Sequence, residues 1–185
     1  MVKVSDNLNF QALLQTDEPA SLGPQKRLGR KSILNLEKAF NVFFRSTKLL
    51  KQNQDLVRAL VLLWNDHLDE SHRIAQDIET PDGAFLHAIM HRREPDYGNA
   101  KYWFQRVGDH PAFPTIAERA IESAKTDAEK KVLTKIVGDL ENPEWDPCAF
   151  VDACERARST APLDQSFLRR VQEIEFQVLL LHLCS

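Results

Sequence analysis

The chain has 185 residues, 43% of them hydrophobic, with a formal charge of −3 and a sequence pI of about 6.1. That length can bury one ordinary core without disulfides or a structural metal, and the lack of positive excess argues against a polyanion partner such as nucleic acid. Its three cysteines, Cys148, Cys154 and Cys184, are odd in number and have no CxxC spacing. They read as reduced thiols in a reducing compartment rather than a disulfide framework or a cysteine zinc site.

The first eleven residues, MVKVSDNLNFQ, contain no apolar stretch of signal-peptide length, and the longest apolar run, Ala59 to Trp64, is far short of a membrane span. A soluble cytoplasmic protein without a membrane partner is expected. Residues 1–31 read as an N-terminal arm: Phe10, Leu13 and Leu14 form a short apolar cluster, and Pro19, Gly23 and Pro24 make a turn-rich passage. Lys26, Arg27, Arg30 and Lys31 then place four positive charges in six residues. They could meet a phosphate or an acidic partner, but a solvated helix entrance is the expected role.

Residues 32–185 read as one helical domain. Ile33, Leu36, Phe40, Phe43 or Phe44, and Leu50 recur at three- and four-residue steps and predict a helix to about Gln52. A second long helix is predicted over 53–77. Its first half, LVRALVLLW, is apolar nearly all round and therefore enclosed; its second half turns polar, with His67, Ser71 and His72 on lines that otherwise carry core residues. Thr80 and Pro81 predict a helix through Arg93. Asp96 or Asn99 caps the next, which Gly108 stops. Capping-box patterns at Thr115 with Glu118 and at Thr126 with Glu129 predict two more. Asp146 with Pro147 opens a helix to about Arg158, and Leu163 to Leu183 forms a last, docked one. The pattern predicts a single compact all-α domain of seven or eight helices, with no strand-like alternation long enough for a sheet.

The chemistry concentrates in 64–113. His87 and His91 stand four apart, so their rings leave one face of a short helix and could share a metal or serve as acid and base. The spacing lacks the internal Glu of HExxH. His72 or His67 from the preceding helix could supply a third nitrogen, with Asp69 or Glu70 behind it. A set of buried histidines bonded to carboxylates and backbone is the competing structural reading. Glu94 adds a carboxylate to the catalytic set. Arg92 or Arg93 is expected to hold an anionic group, at most one of them facing His91 and the other pairing outward. Asp96, Tyr97, Asn99, Tyr102 and Trp103 are the further ligand-binding candidates, although Trp103 and Phe104 also fit a core role. Asp109, His110 and Pro111 read as a structural turn, and Glu175 as a solvent-facing carboxylate with a reach toward the histidines as the alternative. No nucleophile elbow and no phosphate-cradling glycine loop is present.

The segments DHLDESHRIAQDI, GAFLHAIMHRREPDYGNAKYWFQRVGDHPAF, WDPCAFVDACE and VQEIEFQVLL resemble a widespread family of all-helical proteins of uncharacterised activity. Its pattern runs as a DxSH helix, then HAIxHRREPDxxNAxYWxRRVGxHP, then a last helix bearing glutamate and glutamine. Gln105 stands where that pattern has a basic residue, which weakens any paired-arginine role at 105 and 106. The resemblance implies a helical fold and a site at His72, His87, His91, Arg92, Arg93, Glu94, Asp96, Tyr97, Asn99, Tyr102 and Trp103; it implies no reaction. From these residues the expected function is an enzyme-like site for a small polar or anionic molecule, using a divalent transition metal or acid/base chemistry. The alternative is a non-catalytic binding or scaffold protein in which the same residues form a structural polar network.

Overall fold

The computed structural model describes residues 12–158 and 162–185, with side chains from Gln165 onward in the second segment. Phe10 lies outside them. Among the described residues the architecture is all-helical: α1 (Ile33–Ser46), α2 (Lys51–Trp64), α3 (Leu68–Ala75), α4 (Pro81–Arg93), α5 (Tyr97–Val107), α6 (Phe113–Ser123), α7 (Asp127–Val137), α8 (Pro147–Ala157) and α9 (Pro162–Leu183), after a helical turn at 12–14. No described helix is long and apolar enough to cross a membrane.

The helix ends follow local chemistry. Ser32, Thr80, Asp96 and Asp146 each accept a backbone N–H three residues on, and Thr126 with Glu129 completes a capping box. Gly108 and Gly138 leave their helices at φ +63° and +70°, a conformation open to glycine at no steric cost. Helix α6 starts two residues before Thr115, at Phe113, because Pro114 takes the first turn in its place.

Two helix boundaries depart from the sequence expectation. The first helix ends at Ser46, and Thr47–Leu50 is a break, which leaves Leu50 exposed rather than buried. The helix expected over 53–77 is two helices, which brings the number above the expected eight. Asp66 adopts φ +63° between them, a strained conformation for a non-glycine residue in which Asp is among the more tolerated. What holds it there is a buried hub. Arg93 donates to Asp66 at 2.7 Å and to the carbonyls of Leu63 and Gly23, while Arg27 donates to Asp66 at 2.9 Å and to the carbonyl of Trp64. The last carbonyls of α2 thus receive guanidinium protons, at Leu63 alongside the Asp66 backbone N–H.

The arm is therefore part of the core in its described portion. Leu13, Leu14, Ala20 and Leu22 are buried, and Arg27 is tied into the hub rather than serving a solvated entrance. Helix α4 is the centre of the fold. Every residue from Gly83 to Arg93 is buried, and the helix packs on α2, α3 and α5. Gly83 makes this approach possible, since a Cβ there would lie 2.1 Å from the carbonyl oxygen of Ile78. Helix α9 packs on α2, α6 and α8, so the apolar C-terminal run is docked as expected.

Candidate metal centre

Helices α3 and α4 bring three histidines together. His72 on α3 and His87 on α4 face each other with Nε2 atoms 3.1 Å apart. His91, one turn further along α4, stacks on His87 with ring centroids 4.7 Å apart and planes at 17°. One nitrogen from each of the three can be chosen so that all lie within 4.8 Å of one another. Two nitrogens on one tetrahedral zinc, each about 2.1 Å from it, stand about 3.4 Å apart. The His72 and His87 pair is already near that spacing.

Burial acts on two of the three rings. His87 and His91 are 6% and 7% exposed, and His72 is half-buried. Burial, then the neighbouring rings of His91 and His72, push the His87 pKa down to about 4. His91 is lowered for the same reasons, burial first and then His72, against a smaller opposing pull from Asp96. Both are neutral at pH 7 and carry an available lone pair, since protonating either would bury a charge among rings that resist it.

Around this trio the sequence candidates separate. Glu94 lies at the rim, its carboxylate 3.4 Å from His91 Nδ1, and burial raises its pKa. Asn99 Nδ2 is 3.1 Å from His91 Nε2 and 3.4 Å from Nδ1. Being nearly equidistant, the amide lies over the ring and claims neither in-plane lone pair. Trp103 is half-buried, and instead of facing only the core its indole stacks on His87 at 4.2 Å and 23°. Tyr102 is 51% exposed and stands edge-on to Trp103, with Arg106 5.8 Å from its ring centroid and 5.4 Å from that of Trp103. Asp96 caps α5 at the rim. A groove of about 600 Å³ is lined by Lys26, His67, Asp69, Glu70, Glu94 and Asp96; none of His72, His87 and His91 lines it, and its acidic balance favours cations.

Three expectations fail here. Arg92 and Arg93 are both 0% exposed and neither faces the histidines. Arg92 forms a two-pronged pair with Glu175 (3.0 and 2.5 Å) on α9 and lies over Phe150, while Arg93 belongs to the Asp66 hub. Burial alone would lower the Arg92 pKa, but the Glu175 carboxylate outweighs it and the value lies above the ordinary one. Glu175 is accordingly not solvent-facing, and it does not reach the histidines. Tyr97 points the other way as well, its hydroxyl near Arg158 and Cys154, with its pKa raised by burial. His67 is outside the trio: its Nε2 donates to the Lys31 carbonyl at 2.8 Å.

A second cluster escaped the sequence reading, which took His110 as part of a structural turn. Asp82, His110 and His182 converge, with His110 Nε2 2.9 Å and His182 Nε2 3.0 Å from the same Asp82 oxygen. No local pattern joins residues 82, 110 and 182. The arrangement differs from the first trio in one decisive way. His110 Nδ1 accepts the Ala112 N–H at 3.1 Å, so Nε2 must carry the proton of the neutral ring and donate it to Asp82. The nitrogen that would meet a metal is occupied. This cluster is a hydrogen-bonded clasp from the start of α4 to the end of α9. Hydrogen bonding from His110 is the largest cause holding the Asp82 pKa below the ordinary carboxylate range, with His182 adding to it.

A cavity of about 810 Å³ lies beside Phe104, His110, Phe113, Lys135, Trp145 and Asp146, and none of the trio lines it. Nor do the cysteines add a nucleophile. Burial pushes the Cys154 and Cys184 thiols up to about 12 and raises Cys148 too. No family model matches the chain, and no curated protein or solved structure is similar to it.

Proposed function

We propose that His72, His87 and His91 hold one divalent transition metal through three neutral ring nitrogens, and that the protein is an enzyme-like metal site acting on a small polar molecule. Three nitrogen ligands leave at least one coordination position for water or substrate, the arrangement that metal-assisted hydrolysis requires. Glu94, beside His91 and with its pKa raised by burial, would be the carboxylate available to accept a proton from water that such a metal would activate. The observation that carries the reading is the meeting of two ring nitrogens at 3.1 Å across two helices, with a third imidazole stacked beside them. The acidic groove favours cation capture. An anionic substrate group has lost its expected anchors, because Arg92 and Arg93 are closed into buried ion pairs.

A second reading, a non-catalytic scaffold, is supported by that same 3.1 Å contact, which is also the length of an N–H···N hydrogen bond. Loading with Zn, Co, Ni, Mn, Fe or Cu followed by exhaustive dialysis separates the two. The metal reading expects about one retained ion per wild-type chain and none in His72→Gln or His87→Gln. Wild-type protein that retains no ion under any loading condition leaves only the scaffold.

A further inference from the structure

The two helices that supply the site carry matched four-residue spacings. On α4 these are His87 and His91; on α5 they are Trp103 and Asn99. Trp103 stacks on His87, His87 on His91, and the Asn99 amide lies over His91. Trp103 and His91 both lie nearly parallel to His87 and take its opposite faces, while the Asn99 amide nitrogen contacts His91. His72 meets the two histidines at 56° and 74°.

We propose that Asn99 and Trp103 are positioning residues for the metal held by His72, His87 and His91, an inference that rests on the metal reading above. An imidazole binds a metal in its own ring plane, and the terminal torsion of a histidine is broad when nothing restrains it. The two end groups close the outer faces of the His87 and His91 pair and hold both planes nearly parallel. The in-plane lone pairs therefore keep a fixed direction relative to His72. Asn99 presents its amide nitrogen to His91 and Trp103 presents its ring to His87, and neither group as oriented offers a lone pair to a metal. Their influence must pass through the rings, as outer contacts on metal-bound histidines commonly do.

The test titrates full-length wild type, Asn99→Ala, Trp103→Ala and Trp103→Phe with Co²⁺ against a competing chelator while the visible cobalt spectrum is recorded. Asn99→Ala and Trp103→Ala should bind cobalt about ten- to a hundredfold more weakly, with altered d–d bands that report changed coordination geometry. Trp103→Phe, which retains a stacking ring, should stay within about threefold of wild type. Asn99 is only half-buried, so Asn99→Ala decides the matter should Trp103→Ala fail to fold. Unchanged affinity and spectrum in Asn99→Ala would overturn the positioning role while leaving the metal site intact. Wild-type protein that binds no cobalt overturns the metal reading, and the positioning role with it.

Discussion

Removing Glu175 tests the division between structural and functional charge. Arg92 and Glu175 are both 0% exposed and make two charge-assisted hydrogen bonds, while Gln172, 3.4 Å from Arg92, anchors the pair to the Ala20 and Ser21 carbonyls. Glu175→Ala would leave a guanidinium sealed against Phe150 with no carboxylate to answer it. Breaking one partner of such a pair costs about 3–5 kcal/mol, because the remaining charge has neither water nor counter-ion. At roughly 2–4 °C per kcal/mol for a chain of this size, the melting temperature should fall by about 10 °C. The double substitution Arg92→Met with Glu175→Met removes both charges and keeps the volume, and should recover most of that loss, to within about 1–2 kcal/mol of wild type. Urea unfolding of wild type, the single and the double variant measures all three. The double variant should still bind metal as wild type does, since the pair does not touch the histidines. A single variant that loses under about 1 kcal/mol, or a double variant no more stable than the single, would refute the claim that this pair is a closed structural contact.

Acid should destabilise the metal-free protein in a defined window. The His87 pKa is depressed to about 4 in the fold, against about 6.5 unfolded, so the unfolded chain binds the extra proton. Stability should fall from about pH 6.5 down to pH 4 by up to about 3 kcal/mol from this group, and denaturant midpoints in EDTA should show a shallower fall in His87→Gln; an equal slope would count against a buried neutral ring. Gly83→Ala, which in an exposed helix interior would stabilise by about 1 kcal/mol, should destabilise here, because the added methyl meets the Ile78 carbonyl at 2.1 Å; a raised melting temperature would contradict that packing. His110→Ala should lower stability but leave metal stoichiometry at about one per chain, since the Ala112 N–H occupies the ring's acceptor; a halved metal content would show the clasp to be a second centre.

How far the sequence reached can be followed residue by residue. Thr80, Asp146 and the Thr126 box were legible because a cap acts over three residues. The pairing of His87 with His91 was legible because helical geometry alone puts positions four apart on one face. His72 could be offered only as one of two candidates, since choosing it over His67 depends on the angle between α3 and α4. The choice depends also on the break at Asp66, which turns α3 away from α2 and which the polar run NDHLDESHRIAQD did not announce because helical periodicity continues across it.

From local order alone the chain fixed its all-helical class, most of its helix starts and the segment where the imidazoles lie. Only the folded arrangement decided what Arg92, Arg93 and Glu175 do, because their partners stand 83 and 27 positions away in sequence. A charged side chain reads the same whether it faces water or an opposite charge in the core. Burial settles which, through the cost of leaving a charge unanswered. The same holds for His110, whose tautomer is set by one backbone N–H that comes within reach only when the turn before α6 closes.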